Sequence, residues 1–79
     1  MAPSTTVELY DIVKNSLQGV IVNPSVIKAN VAELLKREDL EERTRMSLYV
    51  TQTVHTEGKM SDKEYLRALR RQFGIEAKS

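Results

Sequence analysis

Hydrophobic residues recur at helical spacing from the start of the chain. In the first such segment they lie three or four residues apart, which places them on one face of an α-helix: Val7, Tyr10, Val13 and Leu17. Thr5 precedes them and Glu8 follows Thr5 by three residues, which is the spacing of a capping box at a helix start. The pattern predicts a first helix that ends near Gln18, before Gly19.

Asn23 and Pro24 mark the start of a second helix. Asn can accept hydrogen bonds from the free N–H groups of a first turn, and Pro fits the first helical position because its missing N–H is not needed there. The branched residues from Val20 to Val22 then form the connection between the two helices. The second helix loses its apolar pattern at Lys36, and its predicted apolar face comprises Ile27, Val31, Leu34 and Leu35.

The next segment fits both a helix and a strand. Asp39 and Glu42 indicate a helix that begins at Leu40 and ends before Gly58. Many of its apolar residues are β-branched, so a strand over about 47–55 is the alternative. The helical opening and the need for a third apolar face to close the core favour the helix. Its predicted apolar face comprises Met46, Tyr49, Val50, Thr53 and Val54.

The last element has the clearest local signals. Ser61 and Glu64 have capping-box spacing, and Met60 lies where a hydrophobic staple is expected. Gly74 is the expected end of this fourth helix. Its predicted buried face comprises Tyr65, Leu66, Leu69 and Phe73.

These elements predict an all-α fold, a small single-domain bundle of three to four short amphipathic helices. The alternative is an α+β fold with a short strand near 47–55. A chain of 79 residues is expected to form one domain. Its ends, residues 1–4 and 77–79, are expected to be flexible.

The amino-acid composition argues against several kinds of site and against a membrane segment. The chain has no Cys and one His, so we expect no disulfide, no metal site and no cofactor. The longest apolar run, from Val20 to Val22, is far shorter than a membrane span, and no signal peptide is recognisable. We therefore expect a cytoplasmic protein with no membrane partner.

Catalytic chemistry has little support in the sequence. His55 is the only imidazole, and it is expected to be a surface residue near a helix end. The chain contains no nucleophile elbow, phosphate-binding loop or dinucleotide fingerprint. We expect that the protein is not an enzyme, and no small-molecule substrate is evident.

The charged residues are unevenly placed, although the formal net charge is only +1. An acidic cluster lies at positions 38–42. On the fourth helix, four bases recur at positions i, i+4, i+7 and i+8 and form a basic stripe: Lys63, Arg67, Arg70 and Arg71. Such a stripe can contact a phosphate backbone, meet an acidic protein surface, or remain an ordinary solvated helix face.

Two apolar features are candidates for partner contacts. Tyr49 is the aromatic residue expected to be exposed, because Leu48 and Tyr49 point to different sides of a helix. The three branched residues from Val20 to Val22 cannot all face one small core, so Val20 and Val22 are candidates for burial by a partner. The acidic and basic segments can also pair between two copies of the chain.

Together these features favour a small non-enzymatic protein-protein interaction module, such as an adaptor, inhibitor or regulatory protein. It would dock a charged helix face and a modest apolar patch on a partner protein, or on a second copy of itself in a homodimer. One alternative is a nucleic-acid-binding regulator that uses the basic stripe of the C-terminal helix. Another alternative is a structural subunit of a larger assembly.

Overall fold

The structure, a computed structural model, describes residues 5–75. It contains four helices, α1 (Thr6–Leu17), α2 (Pro24–Leu35), α3 (Glu42–Thr56) and α4 (Asp62–Gln72), and no strand among the described residues. The predicted all-α single domain is confirmed. The alternative strand near 47–55 is wrong, because α3 covers those residues. The ends that we expected to be flexible, residues 1–4 and 77–79, lie outside the described part.

The predicted caps form at α1, α2 and α4. In α1 the Thr5 side chain accepts from the Glu8 backbone N–H at 3.1 Å, and the Glu8 carboxylate accepts from the Thr5 N–H at 3.0 Å. Ser61 and Glu64 make the same reciprocal pair at α4. Asn23 accepts from the N–H of Ser25 at 2.9 Å. These three helix starts are therefore encoded within a few residues of sequence.

The start of α3 differs from its prediction. The helix begins at Glu42 rather than Leu40, and no side chain caps its first turn. Asp39 instead accepts a hydrogen bond from the Thr6 hydroxyl of α1, while Leu40 is buried in the loop and joins the core. The acidic residue that looked like a helix cap is thus used in a contact between distant parts of the chain.

Ten of the core side chains lie on the helices or at the end of α4, and Leu40 adds an eleventh from the α2–α3 loop. Helices α1 and α2 supply three residues each, whereas α3 supplies only Leu48. Tyr65, Leu69 and Phe73 complete the cluster from the last helix and its end. The core is therefore centred on α1, α2 and α4, with α3 packed against one side.

The predicted buried face of α3 is wrong. Met46 and Val50 are exposed, and the helix buries Leu48 and Thr51 instead. Tyr49 is exposed as well, which confirms the expectation for this aromatic residue. The reason is that the other three helices and Leu40 already fill the core. Helix α3 then needs only one large apolar contact, and polar side chains on its inner face supply much of the rest of its attachment.

The helices alternate in direction. The Tyr10 and Phe73 rings lie 4.5 Å apart and Arg70 Nε donates to the Leu17 carbonyl at 3.2 Å, which makes α4 antiparallel to α1. Helix α3 is likewise antiparallel to α2, because Gln52 contacts the carbonyl of Lys28 and Arg45 contacts that of Leu35. The α1–α2 loop and the α3–α4 turn therefore share one end of the bundle.

Arg45 joins α3 to the loop that precedes it. Its Nη1 donates to the carbonyl oxygen of Leu35 at 2.7 Å, and its Nη2 donates to that of Arg37 at 2.6 Å. A longer contact of 3.4 Å reaches the carbonyl oxygen of Leu40. The guanidinium thus binds the carbonyl oxygen of Leu35, which has no partner within α2, and two carbonyl oxygens of the loop that follows.

We predict that Arg45→Met lowers the free energy of unfolding by about 2 to 3 kcal/mol, because hydrogen bonds from a charged donor are lost and their acceptors are left partly buried. Urea unfolding followed by circular dichroism measures this loss. Arg43→Met is the matched control, since Arg43 is exposed, and its effect should stay within about 0.5 kcal/mol. Equal effects of the two substitutions would contradict the role assigned to Arg45.

Candidate functional site

The outward face of α3 carries an apolar strip made of Met46, Tyr49 and Val50. These side chains are 57%, 60% and 55% exposed. Their spacing of three and four residues puts them on one side of the helix, opposite the buried Leu48. Three large apolar side chains thus face solvent together and contribute little to the core.

A shallow groove runs beside this strip, between α2 and α3. It has a volume of about 520 Å3, and Tyr49 forms part of one wall. Ala32 and Leu35 line it from α2, while Thr53 and Thr56 line it from α3. Lys36, Gln52 and Glu57 also line the groove, which is open to solvent and can receive a side chain of a partner.

The exposed bases of α4 form a basic face of three residues: Lys63, Arg67 and Arg71. None of them lies within ion-pair distance of an acid in the described part of the chain. The nearest acids in sequence are engaged elsewhere. Asp62 contacts His55 at 2.7 Å, and the Glu64 carboxylate accepts from Ser61. The basic face is therefore left to interact with anions.

Hydrogen bonding to Ser61 also fixes the charge of Glu64. The backbone N–H of Ser61, its hydroxyl and, more weakly, the nearby Arg67 lower the pKa of the Glu64 carboxyl below its usual value. The same arrangement with Thr5 lowers the pKa of Glu8 at α1. Both carboxylates thus remain charged while they cap their helices.

Arg70 does not belong to the free part of the basic stripe. Its Nε donates to the carbonyl oxygen of Leu17, the last residue of α1, at 3.2 Å. This bond satisfies a carbonyl that the helix itself leaves without a partner. The expectation of four equivalent bases on α4 is therefore corrected to three, with Arg70 tying α4 to α1.

The branched run after α1 is divided between surface and core. Val20 and Ile21 are fully exposed at the tip of the α1–α2 loop, and we call this pair the loop tip. Val22 is half-buried and packs against the core. The expectation that the run cannot all face one core is confirmed, but Val22 is a packing residue in this structure.

The predicted contact residues thus lie on two separate parts of the surface. The Arg70 bond to Leu17 brings the basic face alongside the end of α1, from which the loop tip projects. Tyr49 lies on the outer face of α3. Sequence reasoning missed Met46 and Val50 as surface residues. The inner face of α3 carries Arg45, Leu48, Gln52 and His55, and because three of these four side chains are polar, apolar periodicity gave no signal for it.

His55 is not the surface residue that the sequence predicted. Its side chain is only 13% exposed, and its Nε2 lies 2.7 Å from Asp62. The ring stacks on Tyr65 with centroids 4.2 Å apart, and Nδ1 is buried without a hydrogen-bond partner in the described structure. The Tyr65 hydroxyl donates to Gln52 at 2.5 Å. These side chains form a polar cluster that joins α3 to α4.

Residues 5–75 contain no group of three or more His, Cys, Asp or Glu side chains arranged to hold a metal ion. No helix in that part of the chain is long and apolar enough to cross a membrane.

Comparison of the chain with protein-family models, curated proteins and solved structures gave no significant match. Its function therefore has to be inferred from its own surfaces.

Burial makes the polar cluster sensitive to alkaline pH. It raises the pKa of Tyr65 from 10.0 to about 12, because the ionised phenol is poorly solvated in the core. The unfolded chain loses the phenol proton of Tyr65 at a lower pH than the folded chain does. The free energy of unfolding should therefore stay constant below about pH 10 and then fall by about 2 kcal/mol towards pH 12. Urea unfolding across this range measures the fall, and Tyr65→Phe should flatten it. If the Tyr65→Phe variant lost as much stability between pH 10 and pH 12 as the wild type, other titratable groups would be responsible for the loss.

Proposed function

We propose that the protein is a small protein-protein interaction module that docks on a partner protein through the apolar strip of α3. The observation that carries this proposal is the exposure of Met46, Tyr49 and Val50 on one side of a helix whose inner side is already packed. Contiguous apolar side chains on the surface of a small domain are typical of interaction sites.

The chemistry of the strip supports this function. Tyr is enriched among residues that dominate binding energy, because it combines a large apolar ring with a hydroxyl and loses few rotamers on burial. Tyr49 lies between the strip and the α2–α3 groove, so a partner can cover one face of its ring and also enter the groove. Met46 adds a flexible side chain that adapts to irregular surfaces.

The charges beside the strip favour a different protein over a second copy. Glu42 and Glu57 flank the strip, four residues before Met46 and seven after Val50. Both carboxylates are more than half exposed, and each also pairs with a base of this chain, Glu42 with Arg45 at 3.6 Å and Glu57 with Lys59 at 3.5 Å. Two α3 helices packed face to face would bring acid against acid in either direction. A partner segment with apolar residues in its centre and bases at its ends has the complementary charges.

We expect Tyr49→Ser to weaken partner binding at least about tenfold, as is usual for truncation of a central aromatic contact. A tagged wild-type protein is used to recover the partner from a lysate of the source cells. The dissociation constant of the purified pair is then measured by calorimetry for the wild type and the variant. Circular dichroism should show an unchanged fold, because Tyr49 is exposed.

Val7→Ser is the matched control, since Val7 is an exposed apolar residue on α1 and lies outside the strip. Its binding should equal that of the wild type. A partner that binds the wild type and the Tyr49→Ser variant equally would rule out the strip. If sedimentation showed a dimer for the wild type and a monomer for Tyr49→Ser, the strip would be a surface for self-association instead.

The basic face supports a second candidate function, binding of nucleic acid. Lys63, Arg67 and Arg71 have no acidic partner among the described residues, and their spacing along α4 can follow a phosphate backbone. Because Arg70 is held by Leu17, three phosphates rather than four would be contacted.

For this second function we predict that the logarithm of duplex affinity falls against the logarithm of salt concentration with a slope of about −2.7. Fluorescence anisotropy of labelled DNA measures the slope. Lys63→Ala combined with Arg67→Ala should reduce it to about −0.9. Lys36→Ala combined with Arg43→Ala removes the same charge elsewhere and should leave it near the original value. Equal slopes for the two double variants would exclude the basic face.

A further inference from the structure

The loop tip is an apolar projection. Val20 and Ile21 are fully exposed, while Val22 is anchored on the core. The chain before the tip is held by hydrogen bonds from the N–H groups of Gln18 and Gly19 to the last turn of α1, at 3.1 and 3.2 Å. The Asn23 cap holds the chain after it. The two side chains are thus presented to solvent by a short loop and contribute little to stability.

Basic residues outnumber acidic ones at the end of the bundle that carries this tip. The end of the bundle that carries the α1–α2 loop also holds the last turn of α1 and the first half of α2 and of α4. Five bases lie there against three acids, Glu57, Asp62 and Glu64. The bases are Lys14, Lys28, Lys59, Lys63 and Arg67.

The three acids at this end are occupied. Glu57 pairs with Lys59 at 3.5 Å, Asp62 contacts His55, and Glu64 caps α4. Because the five bases outnumber these three acids, this end of the bundle carries a net positive charge. The acidic cluster of residues 38–42 lies at the opposite end of the bundle, in the α2–α3 loop and the start of α3. This separation gives the molecule a positive end that carries its most exposed apolar side chains.

We propose that this end docks reversibly on an anionic lipid bilayer, with Val20 and Ile21 inserted among the headgroups and with Lys63 and Arg67 near lipid phosphates. A bilayer accepts a convex apolar projection without a preformed pocket, whereas a protein partner needs one. A nucleic acid backbone offers the bases phosphates but gives the two branched side chains no apolar environment. A second copy docked tip to tip would bring positive charge against positive charge.

This mode is interfacial and needs no spanning helix. It combines a small apolar insertion with electrostatic attraction, and these two weak signals reinforce each other. The sequence predicts no membrane partner because its longest apolar run is far shorter than a membrane span. The bases of α4 and the loop tip are more than forty residues apart in the chain. The tertiary structure brings them to one end.

Flotation of the full chain with vesicles tests the proposal. We expect binding to vesicles of phosphatidylcholine mixed with phosphatidylserine, and little binding to phosphatidylcholine alone. Binding should weaken when salt is raised to about 0.15 M, where surface charges are screened beyond about 8 Å. Absence of binding to the mixed vesicles at low salt would overturn the proposal.

Two variants separate the two parts of the contact. Val20→Ser combined with Ile21→Ser should weaken binding about tenfold or more through loss of apolar insertion. Lys63→Ala combined with Arg67→Ala should weaken it about 25-fold, since each base near an anionic surface contributes about fivefold. Val7→Ser and Lys36→Ala are the controls and should bind as the wild type does.

The loop-tip variant also distinguishes other anionic partners. Two results together would show that the bilayer proposal is wrong and that the ligand is a soluble polyanion. The wild type would bind soluble polyglutamate or DNA as tightly as the mixed vesicles, and the loop-tip variant would bind the vesicles with the affinity of the wild type. The apolar strip of α3 takes no part in this contact, so Tyr49→Ser should bind vesicles normally. The outcome is therefore independent of the function proposed for the strip.

Discussion

The hydrogen bonds of Arg45 are the constraint on which the arrangement of α3 depends. Its guanidinium holds the carbonyl oxygens of Leu35, Arg37 and Leu40, and so fixes how the chain leaves α2 and enters α3. Because this contact comes from the inner face of α3, it also sets the rotation of the helix about its axis. Leu48, three residues on, then points into the core.

Polar contacts along the same face hold α3 in that rotation. Gln52 donates to the Lys28 carbonyl of α2 and accepts from Tyr65 of α4, and Thr51 accepts from Gln72. A helix attached in this way needs few apolar residues on its inner side. Its remaining apolar residues are left on the outer side, where the apolar strip forms. The exposed surface and the polar attachment are thus two consequences of one rotation.

The antiparallel order of the helices has a comparable effect on charge. It places the acidic residues 38–42 at one end of the bundle and the loop tip at the other. The bond from Arg70 to Leu17 then aligns α4 so that its basic face extends towards the loop tip. A nearly neutral chain acquires in this way a positive end and a separate apolar face on α3, which suit different kinds of partner.

Local sequence signals were sufficient for much of the fold. The sequence by itself determined the helix starts at Thr5, Asn23 and Ser61, because a cap involves only residues within one turn. It also determined the buried faces of α2 and α4 through helical periodicity. In α1 it placed Val13 and Leu17 correctly, but Val7, predicted on the apolar face, is 70% exposed, and Leu9 is buried instead. Gly58 and Gly74, whose positive φ angles of 76° and 74° suit a residue without a side chain, mark the ends of α3 and α4.

Only the tertiary structure decided which side of α3 faces the core. Apolar residues are present on both sides of that helix, so periodicity could not distinguish Leu48 from Met46 and Val50. The deciding contacts are hydrogen bonds from Arg45 and Gln52 to backbone carbonyls that lie ten or more residues away. The same holds for Arg70 and His55, which were expected at the surface. A side chain that binds a distant carbonyl or carboxylate has no local signal, because its partner is positioned only when the helices pack.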